Sequence, residues 1–204
     1  MVRSSWTMTV VGNGAPGTIG AGRREKGENT MAAGFTIANF RHVAGGLQEG
    51  QFAVGERRQA QGLSDLAPIY QQLLNEPVTM TLAIMGPDGR PSLTPMWFDH
   101  EDGKVLVNTA SHRNKCKWIR ANPKLSLLLV NPRNPYHWMQ IKCTVERELC
   151  EWNPGGDFVT KQVDRIWTKY TGQPGPYGLR DPKIDEKRVL FFCGINHIAT
   201  FGEP

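Results

Sequence analysis

The sequence predicts a mainly β protein, a β-barrel with flanking helices. Two hairpin turns carry glycine where a positive φ angle is needed, at residues 87–89 (Pro-Asp-Gly) and 101–103 (Glu-Asp-Gly). Residues 138–147 alternate, with Met139, Ile141 and Cys143 on one face, as in a half-buried strand. Six or seven short strands, mostly antiparallel, with few helices are typical of a closed barrel.

The first ordered elements are a helix and three strands. Ser64 and Asp65 are typical N-cap residues, Pro68 fits the first helical turn, and Pro77 ends the helix. Because proline cannot donate to a ladder, Pro95 predicts that its strand lies at a sheet edge or a bulge. The three strands are expected at residues 79–85, 92–98 and 104–108.

The remaining elements alternate between helices and longer strands. Gly172 is expected at the C′ position of the second long helix, where a left-handed residue ends a helix. The predicted helices cover residues 112–121 and a stretch that opens at 155–157, and the predicted strands cover residues 124–130, 138–147, 189–193 and 197–201.

The chain is expected to have two parts. Residues 1–60 are rich in glycine, serine, threonine and charge and lack a periodic apolar pattern, so we predict a flexible N-terminal segment there. Within it, residues 38–52 are expected to form a short helix or arm. Residues 61–204 are predicted to form the barrel, a single cofactor-binding domain.

Composition excludes several function classes. A net charge of +5 suits an anionic ligand but is too small to predict nucleic-acid binding. No apolar run approaches the roughly 18 residues of a membrane span. The four cysteines form no CxxC pair and no histidine stands at metal-ligand spacing, so we expect no metal site and a cytoplasmic protein with reduced thiols.

Polar and cationic residues cluster where a predicted strand ends and a helix begins. Free N–H groups at a helix N-terminus and the helix dipole favour an anion there. Arg113 can clamp two phosphate oxygens, and hydroxyl groups add hydrogen bonds. The alternative is a solvated basic helix face with Ser111 as its N-cap. The cluster consists of Thr109, Ser111, Arg113, Lys115 and Lys117.

Two further segments are candidates for holding a flat heterocycle. The break expected at Pro95 leaves backbone groups of the strand Thr94-Pro95-Met96-Trp97 free to bind a ring; alternatively, Trp97 belongs to the core. Trp138 follows a Pro-containing loop and can stack on an isoalloxazine-like ring, or it begins a strand that packs at a dimer interface.

The order of these motifs resembles a known superfamily. They are Leu82-Ala83 before Gly86-Pro87-Asp88-Gly89-Arg90-Pro91, then Pro95-Met96-Trp97-Phe98, Asn108-Thr109-Ala110 with Lys115, Asn122-Pro123, Asn134-Pro135-Tyr136 and Tyr170-Thr171-Gly172. Together they resemble the pyridoxamine 5'-phosphate oxidase-like FMN-binding split barrels, and within these the branch that uses the deazaflavin coenzyme F420.

The resemblance implies a site and a reaction. In that family an Arg-x-Lys pair grips the cofactor phosphate, which points to Arg113 and Lys115, and the ring lies along residues 94–97. It also adds Trp118, where the family commonly has asparagine. The implied protein is a homodimer with sites between subunits. It transfers hydride from reduced F420 to an electron-poor double bond of a small organic substrate, and no catalytic side chain is assigned.

Alternatives on the same fold stay open. One is an FMN-dependent oxidase or reductase, and another is a non-enzymatic barrel that binds a cofactor or haem. The long anionic tail of F420 would favour a basic groove beyond the phosphate. Arg120, Lys124 and Arg133 are the candidates for such a groove.

Overall fold

A computed structural model describes residues 34–40 and 57–202 of the protein. The nine strands are β1 (Phe35–Phe40), β2 (Arg57–Ala60), β3 (Met80–Met85), β4 (Pro91–Met96), β5 (Asp99–Glu101), β6 (Lys104–Ala110), β7 (Lys124–Asn131), β8 (Asn134–Cys150) and β9 (Arg188–Phe201). The helices are a 3-10 turn (Leu63–Asp65), α1 (Pro68–Asn75), α2 (Asn114–Ala121) and α3 (Asp157–Thr171).

All nine strands belong to one sheet, which confirms the prediction of a mainly β fold with flanking helices. The main path runs β2-β1-β9-β8-β7-β3-β4, and β6 joins it by pairing with β9. One edge of β9 therefore has two neighbours, since its first half pairs with β6 and its second half with β1. The β1–β9 pairing is parallel and the other pairings are antiparallel.

The last strand differs from its prediction. The two strands expected at residues 189–193 and 197–201 form one continuous strand, β9, which pairs with β8 along most of its length. Register shifts in this pairing occur at Lys142/Cys143 and Val145/Arg147, and the first lies opposite residues 195–197, where the two predicted strands were separated. The irregular residues therefore form bulges in the β8–β9 pairing and do not divide β9 into two strands.

The N-terminal prediction is tested only in small part. Strands β1 and β2 lie inside the segment 1–60 that was predicted to be flexible. Residues 38–40 are extended rather than helical, since they belong to β1. The rest of this segment, with the rest of the predicted arm, lies outside the described residues.

Helix α1 begins where proline allows it. Pro68 occupies the first helical turn, as predicted, because its missing N–H would be unpaired there in any case. The cap itself was wrong, because Ala67 stands at the N-cap. The Asp65 carboxylate instead accepts hydrogen bonds from the backbone N–H groups of Gln61 and Gly62 at 2.7 and 3.3 Å, so it stabilises the preceding 3-10 turn.

The core lies between the sheet and the helices. It is made of alternating strand residues such as Leu82, Leu127 and Ile141, each at most 1% exposed, together with Ile119 of α2. Within the described ranges, no helix is long and apolar enough to cross a membrane. In the same ranges, His, Cys, Asp and Glu side chains form no group of three that could hold a metal ion.

Strand β4 defines the position of the site. It pairs with β3 on one side and, among the described strands, has no partner on the other, so Pro95 lies on an edge strand as predicted. Strand β6 pairs with β5 and β9 but not with β4. The barrel is therefore split between β4 and β6, and a cleft forms there.

Candidate functional site

A cleft of about 290 Å³ lies between the β4 edge, the end of β6, the start of α2 and helix α3. Most of the predicted cofactor residues line it: Thr94, Pro95, Met96, Trp97, Thr109, Arg113 and Lys115. These residues are up to 21 positions apart in sequence, and the split in the sheet brings them together. The lining also includes residues that the sequence did not single out for the site: Thr79, Asn108, Val163, Ile166, Tyr177, Leu179 and Arg188.

Lys115 is the most unusual residue of the cleft. Its side chain belongs to the first turn of α2 and is only 8% exposed. The ammonium group contacts the Met96 thioether sulfur at 3.3 Å, and no carboxylate among the described residues lies within ion-pair distance. Burial, and then the guanidinium groups of Arg113 and Arg188, lower the pKa of Lys115 below its ordinary value. A buried cation paired only with a weak acceptor is unfavourable until an anion reaches it.

The start of α2 adds to this positive region. Arg113 stands at the N-cap with an exposed side chain, and no side chain caps the helix. The free N–H groups of the first turn and the helix dipole therefore remain available for an anion. Thr109, only 2% exposed, is the second-to-last residue of β6 and lines the same cleft.

Two members of the predicted anion cluster lie elsewhere. Ser111 does not line the cleft, and its backbone N–H donates to the Lys187 carbonyl at 2.8 Å. The alternative in which Ser111 caps the helix is wrong, because Arg113 holds that position. Lys117 is exposed and also lies off the cleft, since it is two residues from Lys115 and α-helical neighbours at that spacing point to different faces.

The β4 strip forms one wall. Its end residue Met96 is half-buried and contacts Lys115, while Pro95 is exposed on the unpaired edge. Trp97 follows the strand and stacks on Tyr170 of α3, with ring centroids 5.0 Å apart and planes 12° apart. Trp97 therefore packs against α3 and also lines the cleft, and its place beside a bound ring stays a prediction.

Helix α3 and the loop after it form the opposite wall. Val163 and Ile166 present apolar surface to the cleft. Tyr177 lies edge-on to Trp167, with centroids 5.9 Å apart, and its backbone N–H donates to Asp164 at 2.8 Å. These contacts hold the loop against α3, so the loop and the helix together close this side of the cleft.

A buried polar network lies at the inner end of the cleft. The Arg188 guanidinium, 7% exposed as a residue, donates to Asn108 Oδ1 and to Glu186 Oε1, both at 2.9 Å. Asn108 Nδ2 donates in turn to Gln162 Oε1 at 2.8 Å. Within the described chain, Gln162 Nε2 is buried without an acceptor. The sequence signal that could have found Arg188 is its place before an apolar strand, where a charge stays buried only with partners.

The two remaining predicted residues do not reach this cleft. Trp118 is partly buried and packs against the main core without lining the cleft. Trp138, at the far end of the sheet, stacks on Phe201 at 5.8 Å and lies 6.1 Å from Phe40.

The proposed tail groove is not supported either. Arg120 makes a two-pronged ion pair with Glu148, with contacts of 2.6 to 3.2 Å, so its charge is already compensated. Lys124 and Arg133 are exposed and do not line the cleft.

Sequence comparison assigns the family. The profile of the pyridoxamine 5'-phosphate oxidase family matches residues 66–189, which is more than half of the chain and includes every residue that lines the cleft. The chain belongs to the pyridoxamine 5'-phosphate oxidase family. A search of curated protein sequences finds no significant match.

Several solved structures are similar to this chain. An F420 reductase is 26% identical with a TM-score of 0.53, and the alignment covers 65% of this chain and 98% of that one. A conserved hypothetical protein from Mycobacterium tuberculosis is 23% identical with a TM-score of 0.49, covering 67% and 84%. The haem storage protein HutZ from Vibrio cholerae is 12% identical with a TM-score of 0.49, covering 67% and 95%. The last two likenesses carry no functional information.

Proposed function

We propose that this member of the pyridoxamine 5'-phosphate oxidase family is an oxidoreductase that uses coenzyme F420, and that the cleft between β4 and β6 binds it. The observation that carries the proposal is Lys115, a cation that is 8% exposed and contacts a thioether. The reaction is hydride transfer to an electron-poor double bond of a small organic substrate.

The cofactor fits the charge of the cleft. Lys115 and Arg113 face it without a carboxylate partner among the described residues, and the phosphate of a flavin-type cofactor supplies the missing negative charge. Arg113 offers a planar fork for two phosphate oxygens, and Lys115 offers a point charge. Thr109 and the free N–H groups of α2 complete the cradle.

The ring fits the walls. The unpaired edge of β4 presents backbone groups along Thr94, Pro95 and Met96, and these can hydrogen-bond a flat heterocycle. Val163 and Ile166 on the opposite wall exclude water from the ring. When bound, the reduced deazaflavin supplies a hydride from its C5 position. The protein orients the ring and grips the phosphate, and no side chain needs to act as a nucleophile.

The likeness to the F420 reductase favours the deazaflavin over FMN, because that structure aligns over 98% of its length. FMN remains the alternative cofactor, since it carries a phosphate at the same distance from a similar ring. The charge pattern beyond the phosphate does not discriminate, because Arg120 is held by Glu148.

We also propose a homodimer with cofactor sites between subunits. A cleft of about 290 Å³ is slightly smaller than the roughly 300–1,000 Å³ that ligand sites enclose, so a second chain is expected to complete it. Trp138, which lies away from the cleft in its own chain, would then serve the partner subunit's site or the interface. The expected location is the cytoplasm.

The test is a pair of fluorescence titrations of the purified protein, one with F420 and one with FMN. Lys115→Ala is compared with Lys117→Ala, which removes an exposed lysine from the same helix but outside the cleft. We expect tight F420 binding that Lys115→Ala weakens and Lys117→Ala leaves unchanged.

Other results would redirect or reject the proposal. Tight FMN binding with weak F420 binding would assign the FMN reaction. Binding of haem with neither flavin would assign the non-enzymatic role. Equal F420 affinity in both variants would reject the phosphate site.

A further inference from the structure

The sulfur atom of Met96 lies beside a buried cation at the wall of the cleft. Met96 is the last residue of β4, is half-buried and lines the cleft together with Lys115. Its sulfur is 3.3 Å from the Lys115 ammonium nitrogen. A thioether is a weak acceptor, so the ammonium group retains most of its capacity to donate hydrogen bonds. A small oxidant that enters the cleft therefore meets the sulfur and a proton donor at the same place.

The described methionines differ in how easily a reagent reaches them. Met80 and Met139 are fully buried in the core. Met85 is 40% exposed at the end of β3 and does not line the cleft. Met96 is less exposed than Met85 but has the ammonium group of Lys115 as its neighbour. Exposure alone ranks Met85 as the methionine that oxidises first, so a faster reaction at Met96 would have to come from this neighbour.

Lys115 offers a proton at the point where oxidation of a thioether needs one. The sulfur attacks one oxygen of hydrogen peroxide, the O–O bond accepts two electrons and breaks, and the departing hydroxide takes a proton. The Lys115 ammonium group has three N–H donors and is close enough to the sulfur to supply that proton. Burial lowers the pKa of Lys115, which makes it a better proton donor. The hydroxyl group on sulfur then returns a proton to the amine, so the products are methionine sulfoxide and water.

We propose that Met96 is a site of oxidation by hydrogen peroxide, assisted by Lys115, and that its sulfoxide weakens anion binding in the cleft. Oxidation converts the apolar side chain into a polar one, and the Lys115 ammonium group binds the new oxygen in place of a phosphate oxygen. Methionine sulfoxide reductases reverse the change. The oxidation step stands on the contact between the two side chains, whereas its effect on the coenzyme rests on the proposed function.

The oxidation step is tested without coenzyme. The full-length protein is treated with hydrogen peroxide, and tandem mass spectrometry follows sulfoxide formation at each methionine. We expect Met96 to react at least as fast as the more exposed Met85. In Lys115→Gln the rate at Met96 should fall on the order of 100-fold, the contribution of a positioned acid, with the rate at Met85 unchanged. Lys117→Gln, which changes an exposed lysine of the same helix outside the cleft, is the matched control.

The buried methionines report on folding in the same experiment. Unreacted Met80 and Met139 show that each variant keeps its core closed to the reagent. Equal Met96 rates in the two lysine variants, with both cores closed, would overturn the assisted oxidation. A wild-type Met96 that reacts more slowly than Met85 would also overturn it.

The effect on the cleft is measured as the Kd for F420 before and after peroxide treatment. Because Met96 lines the cleft, Met96→Leu and Met85→Leu are each compared with their own untreated samples. We expect treatment to raise the Kd on the order of 10-fold in the wild type and in Met85→Leu, as a hydrogen bond to a charged group is diverted, and to leave that of Met96→Leu at its starting value. Methionine sulfoxide reductase should restore the wild-type Kd.

The remaining outcomes separate this inference from the proposed function. Complete oxidation of Met96 with an unchanged Kd would overturn the effect on anion binding while the proposed function stands. Untreated protein that binds neither F420 nor FMN would overturn the proposed function, and the oxidation rates of the lysine variants would still decide the role of Lys115 at the sulfur.

Discussion

Two clefts on this protein differ in how their cations are balanced. The cleft between β4 and β6 encloses about 290 Å³, and its Lys115 has a thioether as its polar contact. A second cleft, of about 430 Å³, is lined by the β5–β6 turn, β8 and Phe158 and Phe192. There Lys104 pairs with Glu146, and Arg147 lies 3.5 Å from the centre of the Phe192 ring.

The difference shows that charge balance, rather than size, marks the candidate site. In the larger cleft both cations are already satisfied by protein partners. In the smaller cleft burial works against a charge that the described chain does not compensate. The phosphate group of a ligand would compensate the charge of Lys115 in the smaller cleft, as Glu146 compensates the charge of Lys104 in the larger one.

The largest effect is expected when the uncompensated charge of the smaller cleft is removed. Lys115→Met keeps the length of the side chain and removes the charge, so F420 affinity should fall by about 2 kcal/mol or more, roughly 30-fold, as a buried charge contact is lost. Lys104→Met in the second cleft should leave the affinity unchanged. Fluorescence titration of the two variants measures both values. Equal losses would mean that the cation effect is unspecific.

The next effect concerns the loop that closes one wall of the cleft. Burial opposes ionisation of Glu151, but hydrogen bonds from Arg180, Thr160 and the Arg188 backbone outweigh it and lower its pKa to about 2. Because the folded-state pKa is lowered, its contribution to stability is present above pH 4.5, the ordinary value, and is lost as pH falls towards 2.

Glu151→Gln should therefore lower the free energy of unfolding at pH 7 by about 1–3 kcal/mol, the range for buried hydrogen bonds to a charged group. The deficit relative to wild type should shrink as pH falls through that window. Urea unfolding at several pH values checks this. A deficit that stays constant down to pH 2 would contradict the ion-pair assignment.

The pH dependence of coenzyme binding tests whether Lys115 contacts the anion. Its pKa lies below the ordinary 10.5, first because of burial and then because of Arg113 and Arg188. An anion binds the protonated form, so coenzyme affinity should decrease as pH rises through the lowered pKa. Lys115→Met should show no such decrease. If the wild-type profile were as flat as that of the variant, Lys115 would not contact the anion.

The smallest effect is expected in the second cleft. The Lys104–Glu146 pair is partly exposed, so Lys104→Met should change stability by about 0–1 kcal/mol. Lys115→Met should instead raise the stability of the ligand-free protein, because it removes an unpaired buried charge. Thermal unfolding without ligand measures both. A strongly destabilised Lys115→Met would indicate a structural role.

Much of the fold could be predicted from local patterns. The turn residues and the alternation in β8 located the hairpins, and Gly172 ended α3 with φ of 72° as its sequence indicated. Strands β1 and β2 were missed because their pairing is with distant partners, β9 in the case of β1. No local signal reports a pairing over such a separation.

The sequence could predict site residues only where they lie close together in the chain. Arg113 and Lys115 could be found because they lie at one strand-to-helix junction. The place of Arg188 before an apolar strand could have indicated a buried charge with partners, but its position at the cleft follows from the β6–β9 register, which places it opposite Ala110. Trp118 was expected at the cofactor, but the helix turns it towards the core.

The most direct test of the account compares F420 with the same deazaflavin ring and ribityl chain lacking the phosphate, in the wild-type protein and in Lys115→Met. We predict that the wild type binds F420 more tightly and that this preference is much smaller in the variant, in which only Arg113, Thr109 and the N–H groups of α2 remain to hold the phosphate. A preference for F420 that survives unchanged in the variant would contradict the claim that Lys115 holds the phosphate.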